Sequence, residues 1–534
     1  MNSNEYNFIN FDSDGCVSKG SCALSPDIAS LQEVILYFIK LTSVYIVKLD
    51  EFSLYNTKIN EKIIDIFASL LYVNEYNEKQ MYEMAQSVYL MYKSSMNRYI
   101  FECSKNNIKP DLTEEIFESS RINIISEVIS FGNLLLKKLY YVQSPEVRNS
   151  SQILFTVLKS VCQNISKLFD FNIHLSEVVS KVISVLSDLN NFDFDKILYS
   201  TKDLSDIDFD LNLALADSLI ENYGEISNVT VSHSTRKGKC ILVSGNNFAD
   251  LKDILEQTKN LNIDIYTHSD LLISHCLGEF RKFPNLCGHY GRSTENCIVD
   301  YGTFPGAILL TKNSKNNTEY LYRGKIFSND YVTPVGVTKI IDNDYTELIN
   351  SALKSKGFKK GRQVADSNLG YDEHEIDILI RSLTEKLAIS KLSRLYVIGP
   401  SSFSETQKEY FNLFLNKVKS DEFVVSFSHE SGNKSVKTIN IGNYGPLFCY
   451  LLNKLINNKQ CINKIYFIFP KCDASSISAI INLKNAGGDN LYTSLCSAKT
   501  INPSAFGLFA KQYGIGILSD AQKDIKNMRK KSPQ

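Results

Sequence analysis

The residues with the greatest chemical reach in this 534-residue chain are its cysteines. There are 12, and no two form a CxxC pair, which argues against zinc ribbons and thioredoxin-type dithiols. Residues 1–13 contain no basic stretch followed by an apolar one, so no signal peptide is read and a cytoplasmic location is expected. In that compartment the cysteines are expected to be reduced thiols or metal ligands. No GxGxxG precedes a suitable helix, and GxxxxGK[ST] and HExxH are absent. Gly357 and Gly361 frame Phe358, Lys359 and Lys360, which read as a solvated basic loop. Gly487-Gly488 reads as a helix stop.

The elements that must position these side chains follow from periodicity. Apolar residues recur at three- and four-residue spacings over 27–49, 60–103, 113–141 and 147–189, which predicts an all-helical N-terminal bundle. Ser25-Pro26 marks one helix start, and Asp111 with Thr113 another. The stretch 31–49 is interrupted by Glu33, Lys40 and Lys48, and reads as a core helix rather than a membrane span. Near residue 225 the pattern changes to strands at 239–245, 263–266 and 307–311, with helices at 248–261 and 271–280 between them. It restarts after a helix at 373–390, with strands at 394–399, 422–426, 464–469 and 514–518. Such alternation predicts two α/β domains with parallel sheets. The domains are placed at 1–224, 225–372 and 373–534. Loops at the carboxyl ends of the strands are where ligands are expected. Lys plus Arg is 58 and Asp plus Glu is 59, for a net charge of −1. That balance argues against a nucleic-acid or anionic-membrane partner. The basic tail, with Lys526, Arg529, Lys530 and Lys531, reads as a solvated helix end.

Within that frame, one set of motifs is specific. Lys239-Cys240-Ile241-Leu242-Val243-Ser244-Gly245, Asp250-Leu251, Leu255-Glu256-Gln257-Thr258 and Tyr266-Thr267-His268 resemble the hybrid-cluster proteins, also called hydroxylamine reductases. Gly288, Tyr290-Gly291, Phe304-Pro305-Gly306, Tyr322-Arg323 and Ile326-Phe327 continue the likeness. Gly15-Cys16, Gly20, Cys22, Ser25-Pro26 and Leu31-Gln32 resemble the second half of the family's cysteine motif and its first helix. The resemblance implies a helical bundle domain followed by two Rossmann-like α/β domains, the hybrid-cluster protein and carbon monoxide dehydrogenase-like fold. It also implies two centres: a four-Cys iron–sulfur cubane near the N-terminus, and a hybrid iron–sulfur–oxygen cluster held by His, Glu and Cys, one a persulfide. Hydroxylamine or nitric oxide is reduced at the hybrid cluster.

Carried across residue by residue, the resemblance meets few of those ligands. Cys16 and Cys22 match the last two cubane thiols, and no Cys matches the first two. At the hybrid site Asn246 stands for a His and Asp270 for a Glu, while Ser314 stands for a Cys. Ser401 stands where the persulfide Cys is expected. His429 and Tyr444 match two further Cys to within a residue or two, and Asp473 and Ser475 a Glu and a Lys. A hydroxyl is far less acidic than a thiol and cannot form a persulfide. The expectation is therefore a degenerate homologue with no cofactor, acting as a binding or regulatory protein for an unnamed protein partner, as monomer or homodimer. The alternative is an active hydroxylamine or nitric oxide reductase whose iron is held through O and N atoms of Asp270, His429, Tyr444 and Asp473. A cubane shared between two chains is the alternative for Cys16 and Cys22. Most other cysteines read as small core residues.

Overall fold

A computed structural model describes residues 24–530, apart from 55, 114, 292–296, 313–323, 331–332, 334–335, 402–403, 428–433, 457–458 and 498–499. Cys16, Cys22, Ser314 and His429 therefore lie outside the described residues. The chain falls into two compact units, Met1–Asp208 with Cys496–Gln512, and Phe209–Leu495 with Tyr513–Gln534.

The first unit is helical. Its leading helix, Pro26–Asp50, begins where Ser25 accepts a bond from the Ile28 amide at 3.3 Å and Pro26 fills the first turn. By length and composition this helix could cross a membrane, despite the three charges that argue against it. However, 67% of its apolar window is buried inside the protein, as in a core helix. Burial raises the pKa of Glu33 and lowers that of Lys40. The helix Ile125–Val142 meets it closely at Gly132, where any Cβ would lie 2.1 Å from the Ser30 carbonyl oxygen. The expected helix over 60–103 divides into Thr57–Ser69 and Glu78–Lys105, the latter opened by an Asn77/Gln80 capping box. The start expected at Asp111 and Thr113 is not one. Asp111 pairs with Lys48 at 2.9 Å and Glu115 with Lys93 at 2.9 Å, and the next α-helix begins only at Ile125.

The second unit holds two six-stranded sheets, in which every pairing is parallel. A short antiparallel pair, β1 (Val229–Val231) and β8 (Ser367–Leu369), lies outside both sheets. The first sheet contains β2 (Lys239–Ser244), β3 (Ile263–His268), β4 (Leu286–His289), β5 (Ala307–Leu310), β6 (Ile326–Ser328) and β7 (Thr338–Lys339). Its spatial order is β4-β3-β2-β5-β6-β7. The second contains β9 (Arg394–Ile398), β10 (Glu422–Ser426), β11 (Val436–Thr438), β12 (Ile465–Phe469), β13 (Leu491–Thr493) and β14 (Gly516–Ile517). Its order is β11-β10-β9-β12-β13-β14. Numbered within each sheet, both orders read 3-2-1-4-5-6, the doubly wound topology. β2, β5, β9 and β12 are buried along almost their whole length, as parallel strands covered on both faces must be.

The C-terminal helix Ala521–Lys530 is not a solvated end. Its Arg529 grips Glu422, whose side chain is 0% exposed, with Nε to Oε1 at 2.9 Å and Nη2 to Oε2 at 2.6 Å. Tyr396 and the Lys419 amide also donate to that carboxylate, at 3.2 Å and 3.0 Å. Burial alone would raise the Glu422 carboxyl, but these donors hold it below its ordinary value. Its contribution to stability is therefore complete above the unfolded value near about 4.3 and is lost as the pH falls through the lower folded value. Arg529→Ala removes two charge-assisted bonds but leaves Glu422 with Arg394 at 3.7 Å, Tyr396 and the Lys419 amide, and is expected to cost about 1.5–3 kcal/mol. Urea unfolding at neutral pH measures this, and an unchanged midpoint would refute the pairing.

Candidate functional site

In a doubly wound sheet the crevice opens where strand order reverses, at the carboxyl ends of the first and fourth strands. Here those ends belong to β2 and β5 in one sheet and to β9 and β12 in the other. Asn246 follows β2, Ser401 follows β9, and Asp473 and Ser475 follow β12. Asp270 follows the adjacent β3, and Tyr444 immediately precedes the helix Gly445–Ile456.

Local hydrogen bonds set each position. The amides of Asn246 and Asn247 both donate to the buried Thr311 hydroxyl, at 3.1 and 3.3 Å. Asn247 then caps the helix Phe248–Thr258, accepting from the Asp250 amide at 3.0 Å. Asp250, 3% exposed, accepts from the Tyr345 hydroxyl at 3.0 Å and from Asn329 at 2.6 Å. After β3 the chain turns through Ser269 at φ +63° and enters a 3₁₀ helix, Ser269–Cys276, which carries Asp270.

Several of these positions are brought together. Tyr444 is buried, with its ring edge-on to Phe248 at 5.3 Å. Burial first, and then the charge of Asp270, pushes the Tyr444 phenol up. Gly442, at φ +63°, lies against Leu272, two residues beyond Asp270. A Cβ at Gly445 would sit 3.8 Å from the Ser475 hydroxyl. Asp270, Tyr444 and Ser475 thus form one seam across the carboxyl ends of the two sheets. Asp473 serves a different purpose: its Oδ1 accepts from the Ser476 amide at 3.0 Å and hydroxyl at 2.9 Å, capping the helix Ala474–Asn485, and Lys471 pairs with it at 2.7 Å. Ser401 is buried just beyond β9.

These side chains do not fit the hybrid cluster. None of the six described positions offers a thiolate. Among the described residues no three His, Cys, Asp or Glu side chains group as a metal ion requires. Cys472, beside Asp473, and Cys496 are disulfide-bonded rather than the reduced thiols expected. Cys240, Cys276 and Cys287 are pushed up to about 12 by burial, so they stay protonated at neutral pH. Cys162 is raised further for the same reason.

Sequence reasoning missed a histidine network behind the seam. Thr267 Oγ1 lies 2.9 Å from His275 Nε2 and 3.0 Å from His289 Nδ1. His268 Nδ1 is 2.8 Å from Ser244 Oγ, which is 2.7 Å from the Tyr301 hydroxyl. His268 Nε2 faces Asp300 at 3.3 Å, and its ring lies parallel to that of His289 at 6.2 Å. Gly291 (φ +90°) passes so near this pair that a Cβ would lie 2.4 Å from Asp300 Oδ2. Thr267-His268 and Gly291 were visible as framework motifs, but His275, His289 and His233, whose ring meets that of His289 edge-on at 5.7 Å, form no motif.

The model of the Prismane/CO dehydrogenase family matches residues 12–432, and the chain belongs to that family. It is similar to a hydroxylamine reductase of Thermodesulfovibrio yellowstonii, 23% identical over 96% of this chain and 97% of that protein. A second hydroxylamine reductase, from Clostridium novyi, is 20% identical over 96% of each chain. Among solved structures, the chain resembles an alpha subunit of acetyl-CoA synthase/carbon monoxide dehydrogenase, with a TM-score of 0.46 and 11% identity over 97% of this chain and 84% of that one. The name of that structure specifies NiZn[Fe4S4] and NiNi[Fe4S4] clusters. Carbon monoxide dehydrogenase IV from Carboxydothermus hydrogenoformans follows, with a TM-score of 0.45 and 9% identity over 94% and 87%. The expectation that the chain has no cofactor is corrected by its family membership. The family is one of iron–sulfur proteins, and the mismatch at six positions does not establish loss of a centre.

The buried histidines generate a pH prediction. His275 is pushed down to about 4, by burial first and then by His233. His289 falls well below its ordinary value, and His233 is lowered too, both mainly by burial. The unfolded chain takes up these protons near pH of about 6.5 while the folded chain does not. Stability is therefore complete above about 6.5 and declines as the pH falls toward the lower folded values. Urea midpoints across that window are expected to fall, and His275→Gln should flatten the decline. A flat profile for the parent chain would contradict it.

Proposed function

We propose that this chain is a divergent homologue of hydroxylamine reductase that no longer performs the family's sulfur-dependent reduction and acts in the cytoplasm as a binding or regulatory protein. The observation carrying this reading is the donor set at the strand ends: an amide, a carboxylate, a phenol and hydroxyls, with Asp473 engaged as a helix cap. A serine at 401 has no sulfur to hold as a persulfide, whatever metal the chain binds.

A second reading, an active reductase with iron on O and N donors, has one observation in its favour. Tyr444 is buried within electrostatic reach of the Asp270 carboxylate, so two oxygen donors lie near one another; burial first and that charge second keep the phenol protonated until a cation offsets them. A carboxylate and a phenolate suit iron better than either alone.

The two readings diverge on measurement. Anaerobically purified full-length protein is assayed for hydroxylamine-dependent oxidation of reduced viologen, with iron and labile sulfide determined on the same sample. Background turnover is expected, with or without bound iron. Sustained turnover overturns the first reading. If that turnover and a phenolate-to-iron absorption band both vanish in Tyr444→Phe, the second reading replaces it.

A further inference from the structure

The loop framed by Gly357 and Gly361 is not the solvated excursion its composition suggests. It forms a two-stranded ribbon with the segment that leads into β2. Gly238 and Phe358 exchange both backbone bonds, at 3.1 and 2.8 Å, and Thr235 and Arg362 do the same, at 2.9 and 3.1 Å. The Thr235 hydroxyl also accepts from the Arg362 amide at 3.1 Å, and the Ser234 hydroxyl from the Val364 amide at 3.1 Å. The contact is close: Gly357 (φ +60°) leaves 2.1 Å between a Cβ and the Gly238 carbonyl oxygen, and Gly361 leaves 2.7 Å to that of Thr235. No other residue fits Gly357 without moving the ribbon.

Phe358 anchors it. Its ring packs against Tyr266 at 5.9 Å, Phe304 at 5.5 Å and Tyr290 at 6.1 Å, beside the core of the first sheet.

On this pinned ribbon stand six exposed cations: Arg236 and Lys237 on one segment, Lys356, Lys359, Lys360 and Arg362 on the other. No Asp or Glu occurs within 233–239 or 354–363. Arg236 is paired with Asp264 at 2.8 Å. Among the described residues the other five take part in no ion pair. Cations held this close repel one another, so the arrangement is costly unless something anionic meets it. A solvated run would relieve that repulsion by moving apart, but the ladder and the buried ring prevent it.

We propose that this ribbon is a docking surface for the acidic face of a partner protein. Three features select a protein over a nucleic acid. The ribbon's one aromatic side chain is packed inward, leaving no platform on which bases could stack. Four of the six cations are Lys, point charges rather than the forked guanidinium suited to phosphate. The whole chain has a net charge of −1, so an extended polyanion meets repulsion beyond the patch. A compact acidic face meets only the ribbon, and complementary charge steers that encounter. The ribbon adjoins Lys239, at the amino end of β2, so docking leaves the seam at the carboxyl ends clear. The proposal does not depend on whether the chain retains reductase activity.

The test uses the full chain and a labelled oligoglutamate peptide of about four residues, short enough to meet the ribbon alone, followed by fluorescence anisotropy. Binding is expected at about 0.01 M salt and should weaken sharply by about 0.15 M, where the Debye length shrinks from about 30 to 8 Å. The triple variant Lys356→Glu, Lys359→Glu, Lys360→Glu should bind at least about tenfold more weakly. The corresponding Lys→Gln triple variant should fall between the two, with the circular dichroism melt of both unchanged because all three side chains are exposed. No peptide binding at low salt, or equal binding by the reversed variant, overturns the proposal. So does tighter binding of an oligonucleotide of equal charge, which would make the partner a nucleic acid.

Discussion

The chemistry available to this chain depends on one topological constraint, the reversal of strand order beside β2 and beside β9. Each reversal sends the chain to opposite sides of its sheet and leaves a gap between the loops that depart. Backbone and side chain fill the first gap in a defined way. The Thr311 hydroxyl, just past β5, receives the amides of Asn246 and Asn247, just past β2. That double acceptance ties the two strand ends and aims the helix Phe248–Thr258, whose Phe248 in turn supports Tyr444 from the second half of the unit. The seam of Asp270, Tyr444 and Ser475 therefore follows from two repeats of one topology meeting at their carboxyl ends.

The histidines behind that seam extend the same logic inward. Three rings contributed by separate elements have hydroxyl partners on β2 and β3, and the hydrogen bonds of Thr267 hold two of them at once. A buried neutral imidazole needs such a partner, because an unmade bond in a low-dielectric interior is expensive. The network is consequently a constraint on local geometry first. It fixes the exit of β3, and with it the backbone that carries Asp270.

The long buried strands were legible because their composition announces them. β2, β3, β5, β9, β10 and β12 are runs of branched and aromatic residues, and each was anticipated within a residue or two. Of the short strands only β14 was, inside the run 514–518. β4 contains a glycine and a histidine in four residues, and β7 has two residues. Strands so short have no periodicity, and hydrogen bonds from their neighbours create them. The same limit applied to helix starts. Asp111 and Glu115 have the composition of a helix N-terminus, yet both are drawn to lysines on other helices, a choice visible only in three dimensions. Arg529 likewise has the sequence context of a solvated cation, and only the fold buries Glu422 beneath it. Of the candidate site, the resemblance leads to residues at the strand ends, and what those residues do there was not legible. Asp473 matches a ligand position, and nothing in its sequence context separates a ligand from the helix cap it forms.

That last ambiguity bears on how function is inferred across the family. The interactions that hold the strand ends here belong to the polypeptide: a threonine hydroxyl accepting two amides, Asp250 accepting from Tyr345 and Asn329, an aspartate capping its own helix. None of them needs a metal to form. Framework motifs such as Tyr266-Thr267-His268 and Phe304-Pro305-Gly306 are satisfied by the same kind of contact: Tyr266 and Phe304 pack in one core, and Thr267 and His268 close the hydrogen-bond network. Selection on the fold alone would therefore keep these motifs whichever side chains face the seam. Family membership follows from the framework, whereas reactivity follows from the few atoms it presents.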